Sequence, residues 1–216
     1  MEKSYKTISS IFAFILILSF FGFHKTYFGL FPEFRGTSFV VHFHVATVIL
    51  WFAMLIVQPM LIRWRKTNVH KLVGKFSYFL AFLIVFGFSL ILNEGQLKHK
   101  DAGLVGATMF DGLLFILFYT LGIYYRKNTA YHARFMVLSA LPFLNPGLGR
   151  LIHPGISVML ELSIILMLLV IEYFNQKRYK PYVIGLASFF IMLGLIMYIS
   201  QINPQIIETL WIYIWG

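Results

Sequence analysis

Cysteine is absent from the 216 residues, which removes disulfides, thiolate metal ligands, cysteine nucleophiles and covalent c-type haem attachment together. Acidic side chains are scarce, with 8 Asp and Glu against 18 Lys and Arg. No HExxH, GxSxG or phosphate-cradling glycine loop is present, so zinc proteolysis, serine hydrolysis and P-loop chemistry have no residues to start from. The ExxH pairs of a ferritin-type di-iron bundle are also missing. The last long apolar run, residues 182 to 200, lacks the lysine that a retinal Schiff base needs. Apolar and polar residues do not alternate over ten-residue stretches, which excludes a porin-like barrel. There is no internal repeat and no low-complexity segment.

Long apolar runs fill the space these absences leave. The chain is 59% hydrophobic, only 12% charged, and has a mean hydropathy of +0.79. Runs near 8–28, 39–62, 76–92, 103–123, 133–152, 156–174 and 182–200 each approach the roughly 20 residues that cross a hydrocarbon core as helix. The expected fold is all-α, a polytopic bundle of seven transmembrane helices forming a single domain over residues 1–216. The first run is long and lacks a small-residue cleavage site, so it is expected to stay as the first helix. The last residues, IIETLWIYIWG, are too few to span and are expected to lie along the interface.

The net charge of +10 argues for topology rather than for nucleic acid. Thirteen of the Lys and Arg fall in the amino-terminal tail and in alternate connections (RWRKTNVHKLVGK, YYRKNTAYHAR, NQKRYK), and five in the others. The positive-inside rule then places the amino terminus in the cytoplasm and the carboxyl terminus outside, in a bacterial inner membrane. Lipids, anionic ones above all, are the expected partners of the basic connections.

Polar residues inside the apolar runs mark candidate sites. The stretch SFVVHFHVATVILW carries His42 and His44, about 200° apart if helical. His44 shares a stripe with Thr47, Trp51 and Gln58, whereas His42 points elsewhere. Counted at 1.5 Å per residue, His44, Asp111 and Glu161 lie roughly 8 to 12 Å from the outer helix ends. His153, Ser157 and Glu161 follow at i, i+4 and i+8, and Arg150 is the nearest candidate counterion for Asp111 and Glu161. These residues lead us to expect a histidine site for a metal ion or b-type haem in the outer half. Its ligands would come from His42, His44 and His153, with Gln58, Asp111, Arg150 and Glu161 in support. Pairs such as His44 with His153, or His42 with His24, would suit haem, and an HxH pair would suit copper, iron or zinc. A second set, His70 and His132, stands before two outward-running helices and can ligate a cofactor or meet a lipid or quinone headgroup.

Proline interrupts the fifth run in ALPFLNPGLGRLIHPG, where missing backbone donors predict a kinked or unwound segment. Broken helices in membranes line sites, so transport of a proton, ion or small solute is the rival to cofactor chemistry. A third class is an accessory subunit with no cofactor of its own.

The succession VHFHVATVILWFAMLIVQPMLIRW, VHKLVGKFSY and HARFMVLSALPFLNPGLGRLI resembles an uncharacterised family of bacterial multi-pass membrane proteins. Its pattern maps onto His42, His44, Trp51, Gln58, His70, Gly74, His132, Arg134, Met136, Pro146 and Arg150. A looser similarity to membrane proteins that assemble haem-copper oxidases rests on histidines at helix starts. It implies work in respiratory redox chemistry or in metal or haem cofactor assembly, beside a quinone or respiratory complex subunits.

Overall fold

The computed structural model describes residues 2–99, 102–199, 205–206, 209 and 212, with side chains from residue 8 to 94 and from 105 onward. All regular structure among the described residues is helical. The helices are α1 (Glu2–Gly22), α2 (Phe39–Arg63), α3 (Thr67–His99), α4 (Ala102–Tyr124), α5 (Thr129–Leu138), α6 (Leu144–Leu151), α7 (Pro154–Phe174) and α8 (Lys180–Met197), with a 3-10 turn at Leu141–Phe143 joining α5 to α6. The expected interfacial segment at 206–216 lies largely outside the described residues.

Five of these helices, α2, α3, α4, α7 and α8, contain stretches long and apolar enough to cross a membrane. The apolar part of α1, Ile8–Gly22, is shorter, and the fifth expected span is divided. Large apolar side chains such as Phe14, Phe79, Phe82, Met159 and Ile191 stand more than half exposed around the bundle, the kind of surface that a membrane helix turns to lipid.

Local chemistry sets the helix ends. Ser38 caps α2 by accepting from Val41 N, and its hydroxyl donates to Glu94 on α3 at 2.7 Å. Asn128 caps α5 in the same manner through Tyr131 N, and Pro154 and Pro181 occupy first turns where a missing N–H costs nothing. Connections of a few residues make successive long helices antiparallel. One end of the bundle therefore gathers Arg65, Lys66, Arg126, Lys127, Lys177 and Arg178, and is called the basic end below.

Packing arranges the long helices as a ring: α1 meets α2, α2 meets α3, α3 meets α4, α4 meets α8, α8 meets α7, and α7 returns to α1 through α6. The divided helix passes through the middle. From residue 135 to 148 nearly every position is buried, with Phe135, Leu138, Ala140 and Leu141 at 1% exposure or less. Pro142 and Pro146 remove two N–H donors there, and the chain tightens into the 3-10 turn before resuming as α6. A side chain from outside helps to hold the break: Ser19 Oγ donates to Phe143 O at 3.3 Å and to Ile15 O at 2.9 Å.

The α1–α6 crossing depends on glycine. A Cβ at Gly22 would overlap the Gly147 backbone, and one at Gly147 would come within 3.2 Å of Ser19 Cα. Close backbone approach of this kind supplies the packing that drives helix association in lipid. Gly22→Val is expected to destabilise the protein by about 1–3 kcal/mol through overpacking, read as a lower thermal midpoint in detergent. An unchanged midpoint would mean that this crossing yields freely.

Candidate functional site

A buried polar cluster, a half-buried one and an aromatic layer between them occupy the bundle. The first cluster lies in the half away from the basic end. Asp111 on α4, Asn145 on α6, and Ser157 and Glu161 on α7 are all at most 7% exposed. Asn145 Nδ2 donates to Asp111 Oδ1 at 3.1 Å. Ser157 Oγ donates to Asn145 Oδ1 and also approaches Pro154 O at 2.7 Å. Glu161 is fully buried, and neither of its carboxyl oxygens has a hydrogen-bond partner, although Asp111 is near enough to act on it electrostatically. Gly149 beside Ser157 leaves the backbone of α6 close to α7, where a Cβ would touch Ser157 Oγ at 3.4 Å.

Arg150 is not the counterion expected for these carboxyls. It is the penultimate residue of α6, its Nη1 donates to Pro146 O at 2.7 Å, and its guanidinium lies 4.5 Å from the centre of the Phe23 ring. Depth alone suggested the pairing, but the helix face directs this side chain toward the α1 end. A half-buried ion pair among the described residues instead joins Arg134 on α5 to Glu172 on α7, and Arg134 Nη1 also donates to Ala130 O. Glu172 escaped sequence reading because it sits at the end of an apolar run, where an interfacial charge attracts no notice.

The histidines expected to share an outer site occupy three environments. His42 Nδ1 is 2.8 Å from Tyr27 Oη, and its ring packs edge-on against Tyr27 and Phe34. His44 turns to the other side of α2 and packs against Phe88 on α3 with ring centroids 5.0 Å apart. Gly87 makes room for it, since a Cβ there would stand 3.0 Å from His44 Nδ1. That nitrogen is buried without a partner. His153 is exposed and caps its own helix, accepting from Gly155 N at 3.1 Å. Among the described residues no group of three or more His, Asp or Glu is placed to hold a metal ion. The expected His42, His44 and His153 ligand set is thus not brought together, and His153 misses the i, i+4, i+8 stripe because a cap residue lies outside the helical register.

The second cluster lies toward the basic end and brings His70 and His132 together, with ring centroids 6.4 Å apart and planes at 85°. Gln58 Nε2 donates to His70 O at 3.3 Å, and His132 Nδ1 is 2.8 Å from Gly122 O. Nearby on α3, the Ser77 hydroxyl bonds Gly74 O at 2.6 Å and Tyr119 Oη at 2.9 Å. Tyr119 was not singled out from the sequence, although its position eight residues after Asp111 places it on the same face of α4.

Aromatic rings separate the two clusters. Phe115 packs against Trp51, Tyr119, Phe88 and Phe143 at centroid distances of 5.1 to 6.5 Å. Trp51, Phe115 and Phe52 are fully buried. Along α2, His44 Nδ1, Trp51 Nε1 and Gln58 Oε1 are all buried and unpartnered at intervals of seven residues, so one helix face carries three orphaned polar atoms from beside Phe88, past the rings, to the His70–His132 cluster.

Compared with models of known protein families, with curated proteins and with solved structures, the chain matches none.

Proposed function

We propose that this protein crosses the inner membrane of a bacterium seven times, with its basic end in the cytoplasm, and moves protons through the bundle by way of the Asp111–Glu161 carboxyl pair. Glu161 carries the proposal: it is a fully buried carboxyl with no hydrogen-bond partner, beside a second buried carboxyl and with no cation paired to it among the described residues. A carboxyl in such a place requires a proton or a bound cation to offset its charge. Residues of this kind inside membranes serve proton relays and ion paths. The discontinuous α5–α6 helix beside it supports the same use, since interrupted helices at membrane depth border sites that load and unload. The seven crossings comprise the five long helices, α1, and the α5–α6 pair as one broken span. Membership of the HxH-bearing family is part of the proposal.

Proteoliposomes with an entrapped pH dye provide the test. Under a potassium-diffusion potential or an imposed pH gradient, vesicles containing the protein are expected to change internal pH faster than empty vesicles. No protein-dependent proton movement under either driving force would overturn the proposal.

A further inference from the structure

We infer that Gln58, His70 and His132 bind one imidazole-preferring transition metal ion, copper or zinc, with His70 Nδ1, His132 Nε2 and Gln58 Oε1 as the donor atoms. The proposal concerns the basic-end cluster and is independent of proton movement at Asp111 and Glu161.

The tautomer of His132 follows from its hydrogen bond. A carbonyl only accepts, so the 2.8 Å contact to Gly122 O puts the proton on Nδ1 and leaves the Nε2 lone pair free. Metal-bound histidines are oriented in this way, with the second ring nitrogen donating to a carbonyl or carboxylate. Gln58 is held similarly, because its Nε2 donates to His70 O and its Oε1 is left buried with no donor to meet it. His70 Nδ1 is also buried and unpartnered. Two orphaned buried atoms in one cluster cost free energy unless something satisfies them, and both can supply an electron pair.

Spacing agrees with a single ion. Metal–nitrogen bonds of about 2.0–2.1 Å place the centroids of two imidazoles sharing one ion roughly 5 to 6.5 Å apart, according to the angle at the metal. The observed separation is 6.4 Å, the near-linear end of that range, which suits copper(I) as it stands, whereas a tetrahedral zinc ion would draw the rings together by roughly 1 Å. Two imidazoles and an amide oxygen favour copper or zinc over magnesium or calcium, which require oxygen-rich, charged ligand sets. All three residues are only half-buried, and the connection between α2 and α3 beside them is exposed, giving an ion a way in.

The full-length protein, with any affinity tag removed, would be stripped with chelator and equilibrated separately with zinc(II) and with copper(I) under a reductant and a competing chromophoric chelator. One equivalent of at least one ion is expected, and the two arms distinguish the metals. His70→Asn and His132→Asn should each weaken binding roughly ten-fold or more and remove the metal-dependent rise in thermal midpoint. His44→Asn and His153→Asn should bind as the parent does. If either Asn variant aggregates, Gln at that position replaces it. The assignment is overturned by a parent protein that binds neither ion stoichiometrically, by undiminished binding in the position 70 and 132 variants, by a loss that follows His44 or His153, or by uptake of haem with no uptake of free ions.

Discussion

Glu161→Gln is expected to reduce proton movement to the level of empty vesicles while leaving the thermal midpoint unchanged or higher. Gln has nearly the shape of Glu and offers an amide to the same space, but it cannot take up and release a proton. Glu161 Oε1 and Oε2 have no partners to lose, and the variant no longer places an ionisable group in a fully buried position, so nothing stabilising is removed. Asp111→Asn should reduce flux in the same assay, but it also alters the acceptor of Asn145 Nδ2, so some stability is expected to go with it. The contrast between the two variants separates a proton-carrying group from a structural one. If Glu161→Gln conducts as the parent does, Glu161 is a packing residue and the carboxyl pair is not the path.

These residues also mark how far the sequence could be read. Length and hydropathy placed α2 at 39–62 against an observed Phe39–Arg63, because Ser38 supplies a cap and the turn after Arg63 ends the helix. For α3 the apolar run at 76–92 understated a helix that extends over Thr67–His99: nothing between Thr67 and the run breaks a helix, so the backbone continues past the hydrophobic limit into polar residues. Pro142 and Pro146 located the break, but not its position at the centre of the ring, which depends on contacts between helices far apart in sequence. His44 lies against α3 and Ser157 and Glu161 are buried, in accord with the facial periodicity. Depth arguments failed for Arg150 and His153, since two residues at one depth meet only if their helix faces also converge. The His70–His132 contact joins two helix starts across 62 positions, and the sequence alone could only mark them as candidates.

Phe115→Ala is expected to produce a protein that leaks protons faster than the parent and is less stable by about 3–5 kcal/mol, the cost of removing a buried phenyl ring from a packed interior. Phe115 is fully buried and contacts Trp51, Tyr119, Phe88 and Phe143. Its ring thus fills the space between the Asp111–Glu161 cluster and the Ser77–Tyr119 pair. A barrier of this type stops protons by excluding water, and it is needed wherever polar clusters at two depths must not communicate continuously. The void left by Ala is bordered by the side chains of Trp51, whose Nε1 is unpartnered, and of Tyr119, and water that entered it is expected to find polar partners there. Proton movement should rise with Phe115→Ala and fall again in the Phe115→Ala, Glu161→Gln double variant, because removing the barrier helps only if the carboxyl beyond it exchanges protons. Phe115→Leu, which restores most of the volume without the ring, should recover stability and much of the barrier. A Phe115→Ala protein that loses stability but moves protons at the parent rate would show that the ring packs the core without gating it. A leak that persists in the double variant would place the path elsewhere than Glu161.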